Sequence, residues 1–528
     1  MSTPLRYTWF AGLAVLVAAC GESTAPPPGG IGNSDWEQGV FERADKFEAR
    51  CEAPRSGTNP ATNKSFPDVQ GTTTDENQFL RSYSNETYLW YDEIVDQDPG
   101  RFSDPISYFE RLRTEAITPS GAPKDKFHFT VDSAEWFALS QSGVAAGYGA
   151  QWIFLSSTPP REVLVAYTEP GSPATDPQVD LARGAKILEV DGLDIDAPTQ
   201  DEIDTLNAAL FPAVAGETHT FTIQDSGSEQ SRTVTMTSAN IESAPVQKVR
   251  VLETPTGRVG YFLFNDHIAT AELGLVNAVK QLNAGEGIDD LVLDMRYNGG
   301  GFLALASELA YMIAGPEATD GRTFELVQFN DKHPKNDPVT GRSISPTPFY
   351  DTSLGPPFNA PADEALPTLD LPRVFILTGP NTCSASEAVI NGLRGVDVEV
   401  IQIGSTTCGK PYGFYPRDNC GTTYFTIQFK GVNDKGFAEY TDGFSPANTE
   451  ADAGALLPGC SVPDDFSAAL GNENETRLAA ALSYRETGTC PPELDLGSGV
   501  REKSGARPNV ADGLVVKSPW LTNRILWP

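Results

Sequence analysis

Between residues 244 and 490, short runs of β-branched and aromatic residues alternate with amphipathic stretches, and this alternation constrains the chain more than any other feature. The strand-like runs are 257–263, 290–294, 373–377 and 399–403, and helical periodicity falls near 269–284, 302–314, 384–395 and 474–485. Strand–helix–strand repeats of this kind build a parallel sheet clothed in helices, because each parallel connection must cross over the sheet. The expected class is a multidomain α/β protein. A stretch rich in Pro, Asp and Asn, 316–370, interrupts the pattern as a surface excursion.

Three further blocks flank this core. Residues 140–243 carry alternating segments (163–167, 218–223 and 233–236) between turn-rich loops, which predicts a β-rich domain. Residues 36–138 place aromatics such as Phe79, Tyr83, Tyr88 and Tyr91 at helical spacing, which predicts a helical N-terminal domain with a buried aromatic stripe. The tail, 491–528, is polar until Trp520, Ile525, Leu526 and Trp527, and is expected to dock as a strap.

At the start of the chain Arg6 precedes an apolar run that ends Val17-Ala18-Ala19-Cys20. The run is too short to span a bilayer as a helix, and small residues before a cysteine resemble a bacterial lipoprotein signal. That resemblance implies cleavage after residue 19, lipidation of Cys20, a flexible tether over 20–35, and an outer-membrane protein of the bacterial envelope facing the periplasm. An ordinary secretory signal is the alternative. Of the seven cysteines, six then remain, an even number suited to disulfides in an exported chain. Sequence leaves about 15 pairings open; proximity favours Cys408–Cys420 and Cys460–Cys490, with Cys51–Cys383 left over. No zinc-type ligand spacing is present, so no metal is expected. A formal net charge of −33 disfavours nucleic acid and electrostatic adhesion to anionic lipid.

Three loops of the α/β block can carry chemistry. In Asp294-Met295-Arg296-Tyr297-Asn298-Gly299-Gly300-Gly301, glycines after a strand let backbone N–H groups approach a ligand oxygen. In Asn381-Thr382-Cys383-Ser384-Ala385-Ser386-Glu387, a serine stands at a strand-to-helix turn. It can cap the helix with Glu387, or be an exposed nucleophile beside helix N-terminal amides. The third, Gly404-Ser405-Thr406-Thr407-Cys408-Gly409-Lys410-Pro411, nearly matches a phosphate-binding loop. Pro411 replaces the hydroxyl that would hold magnesium, so no nucleotide is expected.

In this order the three loops resemble peptidase family S41, the tail-specific or C-terminal processing serine proteases. The resemblance implies a crotonase-like catalytic domain over 244–490, with Ser384 as nucleophile, Lys410 as general base, and the N–H groups of Ala385 and Gly300 as oxyanion donors. A serine paired with lysine needs no histidine, provided the amine is neutral near pH 7. That requires lowering its pKa from about 10.4, which burial away from carboxylates achieves. Where several family members carry a glutamine four residues after the lysine, this chain has Phe414; Gln402 and Tyr412 are candidates to orient the amine in its place. A reduced Cys383 is a rival nucleophile, and a tricorn-type arrangement would recruit His267, read here as a loop residue.

Within 140–243, Gly147-Tyr148-Gly149-Ala150 together with Glu169-Pro170-Gly171-Ser172-Pro173-Ala174 and Gly184–Gly192 resembles a PDZ domain. This implies that Gly147, Tyr148, Gly149 and Ala150 receive a terminal carboxylate, and that substrates are proteins or peptides with apolar C-termini. The expected function is a cofactor-independent serine endopeptidase. The alternative is a non-catalytic module binding peptides or apolar ligands on the same fold.

Overall fold

The structure is a computed structural model that describes residues 36–60, 62–449, 454–492, 513–515 and 524–525. The segments read as a lipoprotein signal and tether, with Cys20, and most of the tail lie outside the described residues. Among the described residues no helix is long and apolar enough to cross a membrane.

The N-terminal block contains one substantial helix, α1 (Thr73–Thr87), which Thr72 and Asp75 start with a reciprocal capping box. Less of 36–138 is helical than expected: beyond α1 it holds the five-residue helix Pro105–Phe109, the start of the helix Ser133–Ser142, the strand Phe129–Asp132, and otherwise turns, 3-10 segments and two-residue strands, as Pro, Gly and Asp favour. Tyr88 already caps the helix in extended geometry. Phe129–Asp132 leaves the block to pair antiparallel with Thr422–Phe425, so this region packs against the α/β block.

The second block is an antiparallel sheet of β1 (Ala150–Ser156), β2 (Glu162–Thr168) and β3 (Lys186–Val190), followed by α2 (Gln200–Leu210), β4 (Thr218–Gln224) and β5 (Ser231–Thr237), in spatial order β5-β4-β3-β2-β1. Thr199 and Glu202 form a capping box that starts α2. The helix packs on the sheet, where Trp152 Nε1 donates to Leu210 O and the Tyr148 hydroxyl donates to Ala209 O.

The third block begins with β6 (Val246–Thr254), an antiparallel edge strand absent from the sequence reading, and β7 (Gly257–Phe264). It continues through α3 (Glu272–Leu282), β8 (Asp290–Asp294), β9 (Gly301–Phe302), α4 (Leu303–Thr319), β10 (Arg373–Thr378), α5 (Ala385–Gly395), β11 (Glu399–Gly404), β12 (Gly459–Ser461) and α6 (Thr476–Thr487). The sheet order is β6-β7-β8-β10-β11-β12, parallel from β7 onward. Strand alternation sends Leu291, Leu293, Val374, Ile376 and Val400 to the face covered by α3, α4 and α5. Val292, Phe375, Leu377, Ile401 and Ile403 meet α6 on the other face. Both faces are therefore dry, as a parallel sheet requires.

The excursion 316–370 is more than surface loop. Thr323–Phe329 pairs antiparallel with Phe429–Val432, and Phe324, Phe349 and Phe358 enter the main core. Two short strands of the tail are also described: β13 (Leu514–Val515) on the free edge of β1, and β14 (Arg524–Ile525) parallel to β9.

Proximity in sequence misassigned two disulfides. The bonds are Cys51–Cys420, Cys383–Cys408 and Cys460–Cys490. Cys420 lies on the hairpin that Phe129–Asp132 joins, and Asn419 Oδ1 accepts the Ala49 N–H at 2.9 Å, which brings Cys51 alongside. Cys383 and Cys408 follow neighbouring parallel strands, so their loops emerge side by side, and Cys408 N–H donates to Thr382 O at 3.0 Å.

Candidate active site

β8, β10 and β11 are adjacent, parallel and in register, with Asp294 opposite Leu377 and Thr378 opposite Gly404. The loops leaving their carboxyl ends must therefore meet, the usual position for a site in an α/β sheet. These are the three loops singled out in the sequence.

Ser384 stands between β10 and α5 with φ 61° and ψ −112°, a conformation that L-residues rarely adopt. Its Oγ is buried and has no hydrogen-bond partner among the described residues. The Cys383 N–H and the Ser386 hydroxyl both donate to Asn298 O at 3.0 Å, which fixes this turn against the glycine loop. Ala385 opens α5, so its amide lies at the positive end of the helix.

Glu387, fully buried, joins the second loop to the third. Its Oε2 accepts the Ser384 N–H at 2.9 Å and the Lys410 N–H at 2.8 Å. Its Oε1 accepts the Gly409 N–H at 2.8 Å and the Thr407 hydroxyl at 2.5 Å. Burial pushes its carboxyl pKa up, and these hydrogen bonds oppose that rise. The arrangement is a carboxylate acting as a loop clamp, consistent with a non-base role for Glu387. Its contact with Lys410 is made through the lysine's backbone amide.

The Lys410 side chain is buried between two aromatic rings, with Nζ 4.7 Å from the centroids of both Phe127 and Phe414. Phe414, the departure from the family pattern, thus forms a wall of the lysine's box. Gly409 takes φ 81°, and a Cβ there would come within 2.2 Å of Thr441 O, so the residue before the lysine has to be glycine. Gln402 directs its NH2 group at Thr378 Oγ1, Ser405 O and Phe444 O, and so braces the strand ends. Tyr412 is buried with its ring edge-on to Trp90.

In the glycine loop, Gly300 has φ 104° and Gly301 φ 136°. A Cβ on Gly301 would lie 2.2 Å from His267 O. The Gly300 N–H, expected to face an oxyanion, instead donates to Asn298 Oδ1 at 3.0 Å. His267 is buried beside it: its N–H donates to Gly300 O, its carbonyl accepts from Phe302 N–H, and Nδ1 is 3.0 Å from Asn298 Oδ1. The histidine thus shapes the glycine loop, a contact its sequence position after β7 did not signal.

Beneath this loop lies a charge network that the sequence reading missed. Arg296 bonds Asp294 at 2.9 Å, Asp464 at 2.7 Å and Glu475 at 2.7 and 2.8 Å. Arg183, from the second block, reaches Asp464 at 2.7 Å and the Tyr297 hydroxyl at 2.5 Å. The two guanidinium groups hold the Asp464 carboxyl well below the usual range despite its burial. Only Asp294 and Arg296 stand in a recognisable motif; Arg183, Asp464 and Glu475 come from distant loops whose meeting is a product of topology.

The loop Gly147–Ala150 lies at the head of β1. Tyr148 is buried, Gly149 has φ 76° with its carbonyl accepting the Glu169 N–H, and Ala150 begins the strand. Cys383, Glu387 and Cys408 converge closely enough to suggest metal ligation. The two sulfurs are bonded to each other, however, and offer no thiolate.

Sequence profiles of two families match the chain: "Peptidase family S41" over residues 258–414 and "Peptidase S41 N-terminal domain" over 75–127. A carboxyl-terminal-processing protease of Picosynechococcus sp. is 32% identical over 179 residues, 33% of this chain and 39% of that protein. The chain thus aligns with well under half the length of that relative. A crystal structure from Bacteroides fragilis, described as an S41 protease, superimposes with a TM-score of 0.57 at 22% identity, covering 80% of this chain and 98% of that one.

Proposed function

We propose, from the matches to the peptidase family S41 models over residues 258–414 and 75–127, that this chain is a serine endopeptidase of the bacterial envelope working through a Ser384–Lys410 dyad. The observation that carries the proposal is the convergence of the two loops on one carboxylate, with the strained Ser384 on one and the boxed Lys410 on the other. A neutral Lys410 amine takes the proton of the Ser384 hydroxyl as Oγ attacks the scissile carbonyl carbon. The tetrahedral oxyanion is received by the Ala385 N–H at the start of α5 and by a glycine amide of 299–301. Lys410 then returns its proton to the leaving amine, and the C–N bond breaks to give an acyl ester on Ser384. Water, deprotonated by the same lysine, attacks the ester and releases the carboxylate product and the serine.

In this reading the second block is a PDZ-like recognition domain on a crotonase-like core. Its Gly147–Ala150 loop engages the apolar C-termini of protein substrates, and an extended peptide adds beside β1. Three disulfides suit an exported chain, and a lipid on Cys20 would hold it at the outer membrane facing the periplasm.

The test is incubation of an unfolded protein ending in apolar residues with wild type, Ser384→Ala and Lys410→Ala. Wild type should cleave and both variants should lose at least about 1,000-fold in kcat, in line with the loss of a nucleophile or its base. Cleavage by Ser384→Ala at the wild-type rate would remove the serine assignment.

A further inference from the structure

β1 is an edge strand of the second-block sheet, and its free edge is taken by a piece of the same chain. Leu514 pairs antiparallel with Phe154, and Val515 with Ile153. Nine residues further on, Arg524 and Ile525 pair in parallel with Gly301 and Phe302, directly after the candidate oxyanion glycine Gly300, and lie against Tyr412–Gly413, just past Lys410. Beside the first of these anchors stands Asn381, three residues before Ser384. Its Oδ1 accepts the Val515 N–H at 3.1 Å and its Nδ2 donates to Gly513 O at 3.4 Å. A carboxamide that bonds one N–H and one C=O of a strand reads main chain alone, so it suits any extended polypeptide.

Two properties of the site accompany this occupancy. Ser384 and Lys410 are 0% and 1% exposed, so the dyad is shut off from solvent. The glycine loop that carries β14 has its Gly300 N–H turned onto Asn298 Oδ1, away from any oxyanion.

We propose that the free edge of β1, the Asn381 carboxamide and the Gly301–Phe302 strand form one binding track for extended polypeptide, and that Gly513–Val515 and Arg524–Ile525 occupy it in cis as an autoinhibitory ligand. The inference deepens the peptidase reading and rests on it for its consequence, which is that substrate must displace these strands before cleavage. A tethered occupant competes at an effective concentration in the millimolar range, so the closed state dominates until a substrate engages several parts of the track. A competing peptide then binds with its affinity reduced by the fraction of open molecules.

The test uses the full chain with Val515→Pro and Ile525→Pro, which delete backbone donors without touching the dyad. In a Ser384→Ala background, so that no probe is consumed, a fluorescein-labelled synthetic peptide of residues 510–528 is titrated by fluorescence polarisation. The double-proline protein should bind it at least about 10-fold more tightly than its parent, corresponding to an open fraction below roughly a tenth in the parent. Equal affinity, or no binding to either, overturns the proposal. Val515→Pro alone is a second, milder opening and should tighten probe binding in the same direction, by less than the proline pair does; a thermal melt confirms folding of each variant. With Ser384 restored, the double-proline protein should cleave casein at least about 10-fold faster than wild type. Failure of both to cleave would count against the peptidase reading, while the polarisation result still decides the occupancy.

Discussion

The amide N–H groups of Ser384 and Lys410 donate to the same oxygen, Oε2 of Glu387, at 2.9 and 2.8 Å. The residues are held relative to one another by a group that has no need to touch substrate. Glu387→Gln keeps the volume but replaces an acceptor with an NH2 donor that faces N–H groups. Each buried donor left without a partner costs about 1–3 kcal/mol. The expected result is a fall of at least about 100-fold in kcat with KM little changed, together with a lower melting temperature. A pH–rate profile of unchanged shape would separate this positioning role from that of a base.

Cys383 and Cys408 add a covalent tie between the same two loops. A bond closing a loop of this length stabilises by roughly 3 kcal/mol in the chain-entropy account. Cys383→Ala/Cys408→Ala should therefore lose stability and also at least about 10-fold in kcat. Cys460→Ala/Cys490→Ala, whose bond joins β12 to the end of the α6 region, should lose comparable stability while retaining kcat. Parallel losses of activity in the two variants would remove any special role for the bond beside the proposed dyad.

Arg183 links the second block to the glycine loop through Asp464 and the Tyr297 hydroxyl. Its side chain is 5% exposed, so Arg183→Met leaves part of a buried acid uncompensated, at a cost of about 3–5 kcal/mol. Because Tyr297 belongs to the loop proposed to receive the oxyanion, kcat should fall along with thermal stability. Steady-state kinetics at a temperature where the variant is folded checks this; a melting shift with unaltered kcat would confine Arg183 to domain docking.

The parts of the site legible in the sequence are those in which neighbouring residues carry a local signal. Ser384, Ala385 and Lys410 lie in strand-to-loop motifs, and the strand ends that bring these motifs together follow from the parallel sheet. His267, Arg183, Asp464 and Glu475 have no such signal, because their partners are distant in sequence and are supplied by topology. The disulfides fail for the same reason: Cys51 and Cys420 meet through the Phe129–Asp132 ladder, a long-range pairing that proximity does not encode. Aromatics at helical spacing over 79–91 misled in the opposite sense. Phe79 and Tyr83 do face the core from α1, but Tyr88 and Trp90 reach it from extended backbone and turns beyond the helix end.

A last prediction concerns a buried acid pair away from the dyad. Glu272 accepts the N–H groups of Leu354, at 2.6 Å, and Ala360, at 3.1 Å. Glu308 faces it from α4, and burial, together with the Glu272 charge, pushes its pKa up to about 10. Tyr350 is the other titratable group that feels Glu308, and its own pKa is raised by burial and by that carboxyl. A carboxyl whose folded pKa lies above its unfolded value binds more protons in the native state. Its contribution is fully present below about 4.5 and is lost progressively as pH rises toward 10, by at most about 1.4 kcal/mol per pH unit. Glu308→Gln keeps a donor toward Glu272 and removes the titration. The variant should match wild type near pH 5 and melt several degrees higher at pH 9, as followed by circular dichroism. Parallel melting curves across that range would mean that Glu308 is already ionised in the folded protein.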